Sequence, residues 1–346
     1  MIDVLVAGGG PAGLATAIHA ALAGMEAVVV EPRGGPVDKA CGEGLMPTGA
    51  AVLRSMGVVA DGRPFRGIRY VDGRHRAQAV FRDGPGIGVR RTCLHAALSR
   101  RAAELGVRVI SGRVERLRQS PSAVDVAVRA TGGGTPDVRA RWLVAADGLH
   151  SPTRSLLGLD PPPSLPRRYG QRRHYRMTPW TDFVEVHWAA AGEAYVTPVA
   201  DDLVGVAVLS SRRQAYHDHL ADFPDLVARL NGPAVTPVRG AGPLRQRVRS
   251  RVRGRALLVG DAAGYVDAIT GEGLSLALLS SRALVRCLRA GRPAAYEAAW
   301  RRLSLRHRLL TAALLRARHH PGSARLIVPA AQRLPGLFAA AVHALA

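Results

Sequence analysis

The chain opens Ile2-Asp3-Val4-Leu5-Val6-Ala7-Gly8-Gly9-Gly10-Pro11-Ala12-Gly13-Leu14, and this stretch decides the fold. Residues 2–7 read as a short buried strand, residues 14–24 as an Ala-rich helix ended by its glycine, and residues 27–30 as a second buried strand closed by Glu31-Pro32. Between strand and helix, Gly8, Gly10 and Gly13 stand at G-x-G-x-x-G spacing, with Ala12 inside the turn. Such glycines permit a tight turn, close backbone approach to a pyrophosphate and close packing of helix on strand, with the helix N-terminus aimed at the phosphates. Glu31 follows Gly13 by 18 residues, placed to accept hydrogen bonds from a ribose, and Arg33 lies beside it. Strand, turn, helix, strand and terminal acid in register predict a dinucleotide site.

Working outward, residues 33–48 form a Gly- and Pro-rich loop too long for a plain connector. Helices are expected at 48–56 and 92–106, and strands near 67–71, 77–81 and 107–110. Residues 123–129 and 138–144 read as a hairpin around Gly132-Gly133-Gly134, which opens no helix and so is a turn. A crossing is expected at 160–166, then an antiparallel sheet over 171–240 interrupted by a helix at 212–230. A buried strand at 256–259, a helix at 273–290 and a helical end with breaks at Pro321, Pro329 and Pro335 complete the reading.

Two later segments specify the dinucleotide. Leu143-Val144-Ala145-Ala146-Asp147-Gly148 ends a strand in an Asp-Gly turn and runs on to Arg154, and Ala256-Leu257-Leu258-Val259-Gly260-Asp261-Ala262-Ala263-Gly264 ends another. Together with the first unit these resemble the three fingerprints of the flavoprotein monooxygenases of the para-hydroxybenzoate hydroxylase fold, a fold shared by geranylgeranyl reductases. The resemblance covers about 1–60, 88–158 and 246–290. It implies FAD as cofactor. Asp261 is then placed to bond the ribityl chain, and Gly271, Gly273 and Leu274 to present a helix N-terminus to the flavin edge where negative charge develops on reduction. It further implies cofactor contacts at Arg91, which opens the Arg-x-x-Leu helix, at the backbone of Val114 under the adenine, and at Asp147.

The chain departs from both branches of that family. Gly264 and Thr270-Gly271-Glu272-Gly273 stand closer to the reductases. Yet Glu193-Ala194-Tyr195-Val196-Thr197-Pro198 lacks the Trp and Phe of the prenyl reductases' Tyr-x-Trp-x-Phe-Pro, and the halogenases' Trp-x-Trp-x-Ile-Pro is absent. Lys39-Ala40-Cys41-Gly42-Glu43-Gly44 is the most distinctive local run, and its place in the fold implies that it lies against the isoalloxazine. Cys41, Glu43 and Pro198 are therefore the flavin-lining candidates, with Cys41 packing as a small hydrophobe as the plain alternative.

Composition narrows the function classes. The 346 residues carry a formal net charge of +22, but Lys39 is the only lysine, and an Arg-, Ala- and Gly-rich chain suggests a compositional bias more than a nucleic-acid partner. Arginines at every second position from Arg245 to Arg255 would share one face of an edge strand. Cys41, Cys93 and Cys287 form no C-x-x-C pair, so neither a disulfide framework nor a metal site is expected. No basic segment precedes an apolar run and no run reaches the ~18 residues of a spanning helix, so a soluble cytoplasmic protein is expected, with possible membrane contact through Leu326, Leu337 and Phe338 and the nearby Arg325 and Arg333. His174 and His187 join several aromatic residues in the second sheet, with no basis for choosing a base among them.

The expected architecture is α/β: a Rossmann-type FAD domain over 1–64, 88–160 and 246–290, an inserted antiparallel-sheet substrate domain over 65–87 and 161–245, and a helical C-terminus over 291–346. No second G-x-G-x-x-G unit exists for a resident nicotinamide, so NADPH or NADH is expected to bind transiently. The first functional expectation is hydroxylation of an aromatic or polyketide-like molecule, the second reduction of a C=C bond in an isoprenoid or lipid. The third is a basic nucleic-acid binder without flavin.

Overall fold

The computed structural model describes residues 1–162 and 167–346, so residues 163–166 of the expected crossing lie outside the described residues. Val4 to Ala7 and Ala27 to Glu31 are buried without a break, as befits strands covered on both faces. They run parallel, Leu5 opposite Val28 and Val6 opposite Val29. Strand Asp137–Ala145 adds in parallel on the other side, with Ala256–Leu258 beyond it. Strand Arg108–Gln119 closes the opposite edge of this parallel core. It is far longer than the expected 107–110, because its outer half leaves the parallel core and pairs antiparallel with Val124–Ala130. In that half charged and apolar residues alternate and only Gly112 and Val114 are buried, so no apolar run announces it.

Helix Pro11–Leu22 starts three residues before its expected start. Pro11 occupies the first helical position, where its missing N–H costs nothing and its fixed φ suits the turn. Helix Gly273–Arg289 packs across it through small side chains, and the Ser281 hydroxyl donates to the Ala12 carbonyl at 3.0 Å.

A second seven-stranded sheet runs in the order Arg239–Ala241, Tyr169–Arg176, Leu203–Ser210, Gly192–Ala200, Phe183–Trp188, Gly67–Val71, Arg76–Val80. Its pairings are antiparallel except that Phe183–Trp188 runs parallel to Gly67–Val71. The helix expected at 212–230 is two short helices, Tyr216–Leu220 and Pro224–Arg229, since Pro224 cannot continue the first and instead opens the second. They cover one face of the sheet around Val196, Val206 and Leu226. A small sheet of Arg63–Phe65, Gly86–Gly88 and Gly44–Leu45 brings the loop after Glu31 to the other face.

The chain ends in helices Ala295–His319, Pro321–Ala324, Ile327–Arg333 and Pro335–Leu345. No break occurs at Pro329. It sits in the first turn of its helix, where an amide donor has no partner to lose. The expected arginine strand is also not formed: of residues 245–255 only Val252–Arg253 is strand. Its later arginines are held by separate elements. Arg251 pairs with Glu297 at 2.8 Å and stacks 3.8 Å over Trp300, while Arg255 donates to the Pro121 carbonyl at 2.7 Å and lies over Trp142.

Candidate functional site

The turn after the first strand is shaped by its glycines. Gly8 has φ +106°, and a Cβ on Gly13 would lie 1.9 Å from the Gly8 carbonyl oxygen. Glu31 braces this turn: it accepts from the Gly9 amide at 2.8 Å and from the Arg33 Nε at 2.6 Å. Burial raises the Glu31 pKa, but those donors outweigh it and hold the carboxyl below its ordinary range. Both Glu31 oxygens are thus already engaged within the chain.

The turn opens onto a cavity of about 510 Å³ between the two sheets, and its two ends differ in chemistry. Gly10, Ala12, Arg33, Arg91, Asp147 and Asp261 line one end, together with Gly271, Gly273 and Leu274 at the start of the helix Gly273–Arg289. Two long helices therefore point their N-termini, with unpaired amides and positive dipole ends, into one space. Arg91 Nε is buried without a hydrogen-bond partner, and neither Asp261 nor Lys39 makes a side-chain hydrogen bond among the described residues. Burial pushes the Asp261 pKa up, opposed by Arg91 and Lys39. Unsatisfied cations, an unsatisfied carboxyl and helix N-termini around a glycine turn fit the diphosphate and polyol of FAD. In that fit Gly10 and Arg91 would meet the diphosphate and Asp261 the ribityl hydroxyls.

Asp147 is committed locally. Its Oδ2 accepts from the Thr153 amide at 2.9 Å and its Oδ1 from the Ser151 hydroxyl, closing the Asp-Gly turn. Arg154, almost fully buried, donates to Asp160, to the Leu149 carbonyl and, at 3.4 Å, to the Ala262 carbonyl, and so ties this turn to the third fingerprint segment.

At the other end the wall is aliphatic and aromatic. Alternate residues of the second sheet face inward: Val184 and Val186, Tyr195 and Thr197, Ala207 and Leu209. Phe65, Ile68 and Tyr70 extend this wall, and Val342 and Leu345 of the last helix cover it. The Tyr195 hydroxyl is occupied, donating to the Ile269 carbonyl at 2.7 Å.

Segment 39–44 joins the two ends. Lys39 faces Asp261 and Arg91, while Gly44 packs beside Val184 and Phe65. Cys41 and Glu43 lie at the junction and line the cavity. Burial pushes the Cys41 thiol pKa up, with Arg91 opposing and Glu43 reinforcing. Glu43 is the one non-glycine residue at positive φ among the described residues (+60°). Its carboxylate is buried, accepting from the Arg91 amide at 2.8 Å and facing His174 Nε2 at 2.6 Å.

Five of the candidate residues lie off the cavity wall. Gly8, Gly13 and Glu31 act from behind it, and Val114 is packed in the core of the first sheet. Pro198 is a correction: on its strand Tyr195 and Thr197 face the cavity, so Pro198 turns away, its carbonyl against Gly88. The structure also adds residues that sequence reading left unassigned. His174 and Arg172 recur at strand spacing, which places them on one face, but only the docking of the 39–44 loop marks that face as the cavity side.

Comparison with known proteins points to the same cofactor. Residues 1–171 match the family described as "FAD binding domain". The menaquinone reductase of Mycobacterium tuberculosis is 29% identical over 81% of this chain and 74% of its own length. Digeranylgeranylglycerophospholipid reductase 2 of Methanosphaera stadtmanae is 26% identical over 80% and 75%. Among solved structures, the flavin-dependent halogenase CmlS superposes with TM-score 0.80 at 21% identity. That match covers 92% of this chain, which spans 64% of the halogenase's length. The chain thus carries an FAD-binding domain over residues 1–171, shares the fold of flavin-dependent halogenases and of a geranylgeranyl reductase-like protein, and stands among the FAD-binding oxidoreductases.

Proposed function

We propose that this protein is an FAD-dependent reductase of a carbon–carbon double bond in an apolar, isoprenoid-type lipid. One observation carries the reading. The cavity end beyond the cofactor residues is walled mainly by Phe65, Ile68, Val184, Val186, Leu209 and Val342; the Tyr195 phenol on that wall already donates to the Ile269 carbonyl, and the one cavity-lining carboxylate near it among the described residues is Glu43 at the junction. Hydroxylation of a phenol needs a base beside the hydroxyl, whereas an isoprenoid chain needs only apolar contact and one proton source. That difference favours the reductase over the hydroxylase, which the sequence ranks first. The relatives named for a menaquinone and for a digeranylgeranyl phospholipid support the same substrate class.

Bound FAD would supply hydride after reduction by transient NADPH or NADH. Residues 1–64, 88–160 and 246–290 would hold the cofactor, and residues 65–87 and 161–245, roofed by the helices after 291, would hold the lipid. The apolar wall excludes water from the reacting bond, and Cys41, kept as a thiol by burial, adds no charge beside it. No helix among the described residues is long and apolar enough to cross a membrane. Leu326, Leu334 and Leu337 are exposed beside Arg325 and Arg333, a composition suited to an anionic lipid surface from which such a substrate is drawn.

Product mass tests the reading. FAD-loaded protein, given NADPH or NADH and a geranylgeranyl phospholipid in detergent, should yield lipid heavier by a pair of hydrogens with oxygen excluded. Product formed only in air, from a phenol, and heavier by an oxygen atom would replace it with the hydroxylase.

A further inference from the structure

Glu43 is the most unusual residue of the cavity, and its surroundings continue past it. The fixed partner of its carboxylate is His174 Nε2, at 2.6 Å. On the far side of that ring, Nδ1 lies 3.0 Å from Arg172 Nη1 and 3.1 Å from the Thr236 hydroxyl. A guanidinium nitrogen can only donate, so Nδ1 carries the lone pair and the ring proton sits on Nε2, pointing at Glu43. The Thr236 hydroxyl accepts from the His174 amide at 3.1 Å, which leaves its own hydrogen free for Nδ1. Thr236 is only half-buried, whereas Glu43 and His174 are fully buried.

Among the described residues, nothing else around Glu43 offers this connection. Arg172 is held by Asp38 and the Lys39 carbonyl, and Asp38 in turn by Arg239 at 3.0 Å. Arg172 Nη2 lies 3.8 Å from Glu43, and Cys41 accepts from the Glu43 amide at 3.3 Å. Gly205 lies beneath the pair, where a Cβ would come within 3.1 Å of Glu43 Oε2 and 3.5 Å of the His174 ring.

We propose that Glu43, His174 and Thr236 form a proton path from the edge of the second sheet, beside the strand Tyr169–Arg176, to the cavity, with Glu43 as the residue that hands the proton to the substrate. The proposal deepens the reductase reading and rests on it for the identity of the acceptor. Reduction of a C=C bond adds hydride, supplied by a reduced flavin, to one carbon and a proton to the other. The proton leaves the Glu43 carboxyl, and the C=C electron pair forms the new C–H bond. Glu43 recovers a proton from His174 Nε2 as Nδ1 takes one from the Thr236 hydroxyl, which water replenishes, and rotation of the ring restores the resting Nε2–H form before the next turnover. Glu43 is the catalytic residue here, and His174 and Thr236 act through it.

The test uses the FAD-loaded protein, reduced without oxygen and mixed with a geranylgeranyl phospholipid in micelles. Glu43→Gln should bind and reduce flavin normally but slow its reoxidation by lipid about 100-fold. His174→Ala should also slow it, and added imidazole should restore His174→Ala but not Glu43→Gln. Thr236→Val should move the pH profile of the same step. Wild-type rate and pH profile in Glu43→Gln, or no rescue of His174→Ala, would overturn the path. A second measurement needs no substrate and so separates this proposal from the choice of lipid. Nitrogen NMR, with the His174 signals assigned by their loss in His174→Gln, should find protonated Nε2 and bare Nδ1 at neutral pH. An imidazolium or an Nδ1–H ring there would sink the path even if the lipid is reduced. If wild type ignores the lipid while the ring has the stated form, the substrate reading alone has failed.

Discussion

Gly10 and Gly13 sit in one turn, yet adding a methyl group to each should do different things. On Gly13 the new carbon would fall 1.9 Å from the Gly8 carbonyl, so the strand and helix must part; on Gly10 the nearest atom is Arg91 Nη2 at 3.9 Å. Gly13→Ala should therefore lower both the melting temperature and FAD affinity. Gly10→Ala should keep the melting temperature and weaken FAD more than about tenfold, because the methyl projects where the diphosphate needs the backbone. Calorimetry and flavin-fluorescence titration separate the two. Glu185 makes a pH prediction. Burial raises its pKa, but His187 3.4 Å away and hydrogen bonds from Arg69 and Trp180 outweigh that and hold the carboxyl at about 2. A depressed folded pKa contributes stability above the ordinary value of 4.5 that is lost as pH falls toward 2. Glu185→Gln should cost about 3 kcal/mol at neutral pH, since Arg69 at 2.8 Å loses its buried partner. Its melting temperature should then fall less than that of wild type between pH 4.5 and 2. At this scale the glycines and Asp261 were legible because their constraint is local. His174 was visible but not selectable, since its meaning comes from Glu43, 131 positions away.

The elements show where local patterning ends. The apolar runs Val4 to Ala7, Ala27 to Val30 and Ala256 to Leu258 located three strands of the first sheet, because a strand covered on both faces has that composition whatever its neighbours. The same logic missed the outer half of Arg108–Gln119, whose exposed residues owe their strand state to pairing with Val124–Ala130. Period-two arginines suggested a strand over 245–255, but tertiary partners at Glu297, Trp300 and Pro121 prevailed over the pattern. The helix Pro335–Leu345 carries the element-scale prediction. Val342 lines the apolar end of the cavity, and Phe338 stacks 4.8 Å from Tyr70. Val342→Trp should fill that end, leaving FAD binding unchanged while the apparent affinity for a long isoprenoid lipid falls at least tenfold, measured by titrating turnover with lipid.

Across the whole molecule, three separate fingerprints identify the FAD-binding fold because each is a short strand-to-turn signal that needs no long-range information. The apolar cavity end was not legible. Its wall is assembled from five strands and the last helix, each contributing alternate residues that look like ordinary core. The net charge of +22 belongs to this scale too. If Leu334, Leu337, Arg325 and Arg333 face a bilayer, the protein should pellet with anionic vesicles far better than with zwitterionic ones, and less so as salt rises. Leu334→Ser with Leu337→Ser should weaken that binding without altering FAD content, as vesicle sedimentation would report. The proposed reaction requires electrons to pass from flavin to a double bond inside the apolar end. The most direct measurement follows the absorbance of photoreduced, FAD-loaded protein in the absence of oxygen as geranylgeranyl phospholipid is titrated in. The account predicts that oxidised flavin returns in proportion to the lipid added. Flavin that stays reduced at every lipid concentration, and reoxidises only when air is admitted, would contradict it.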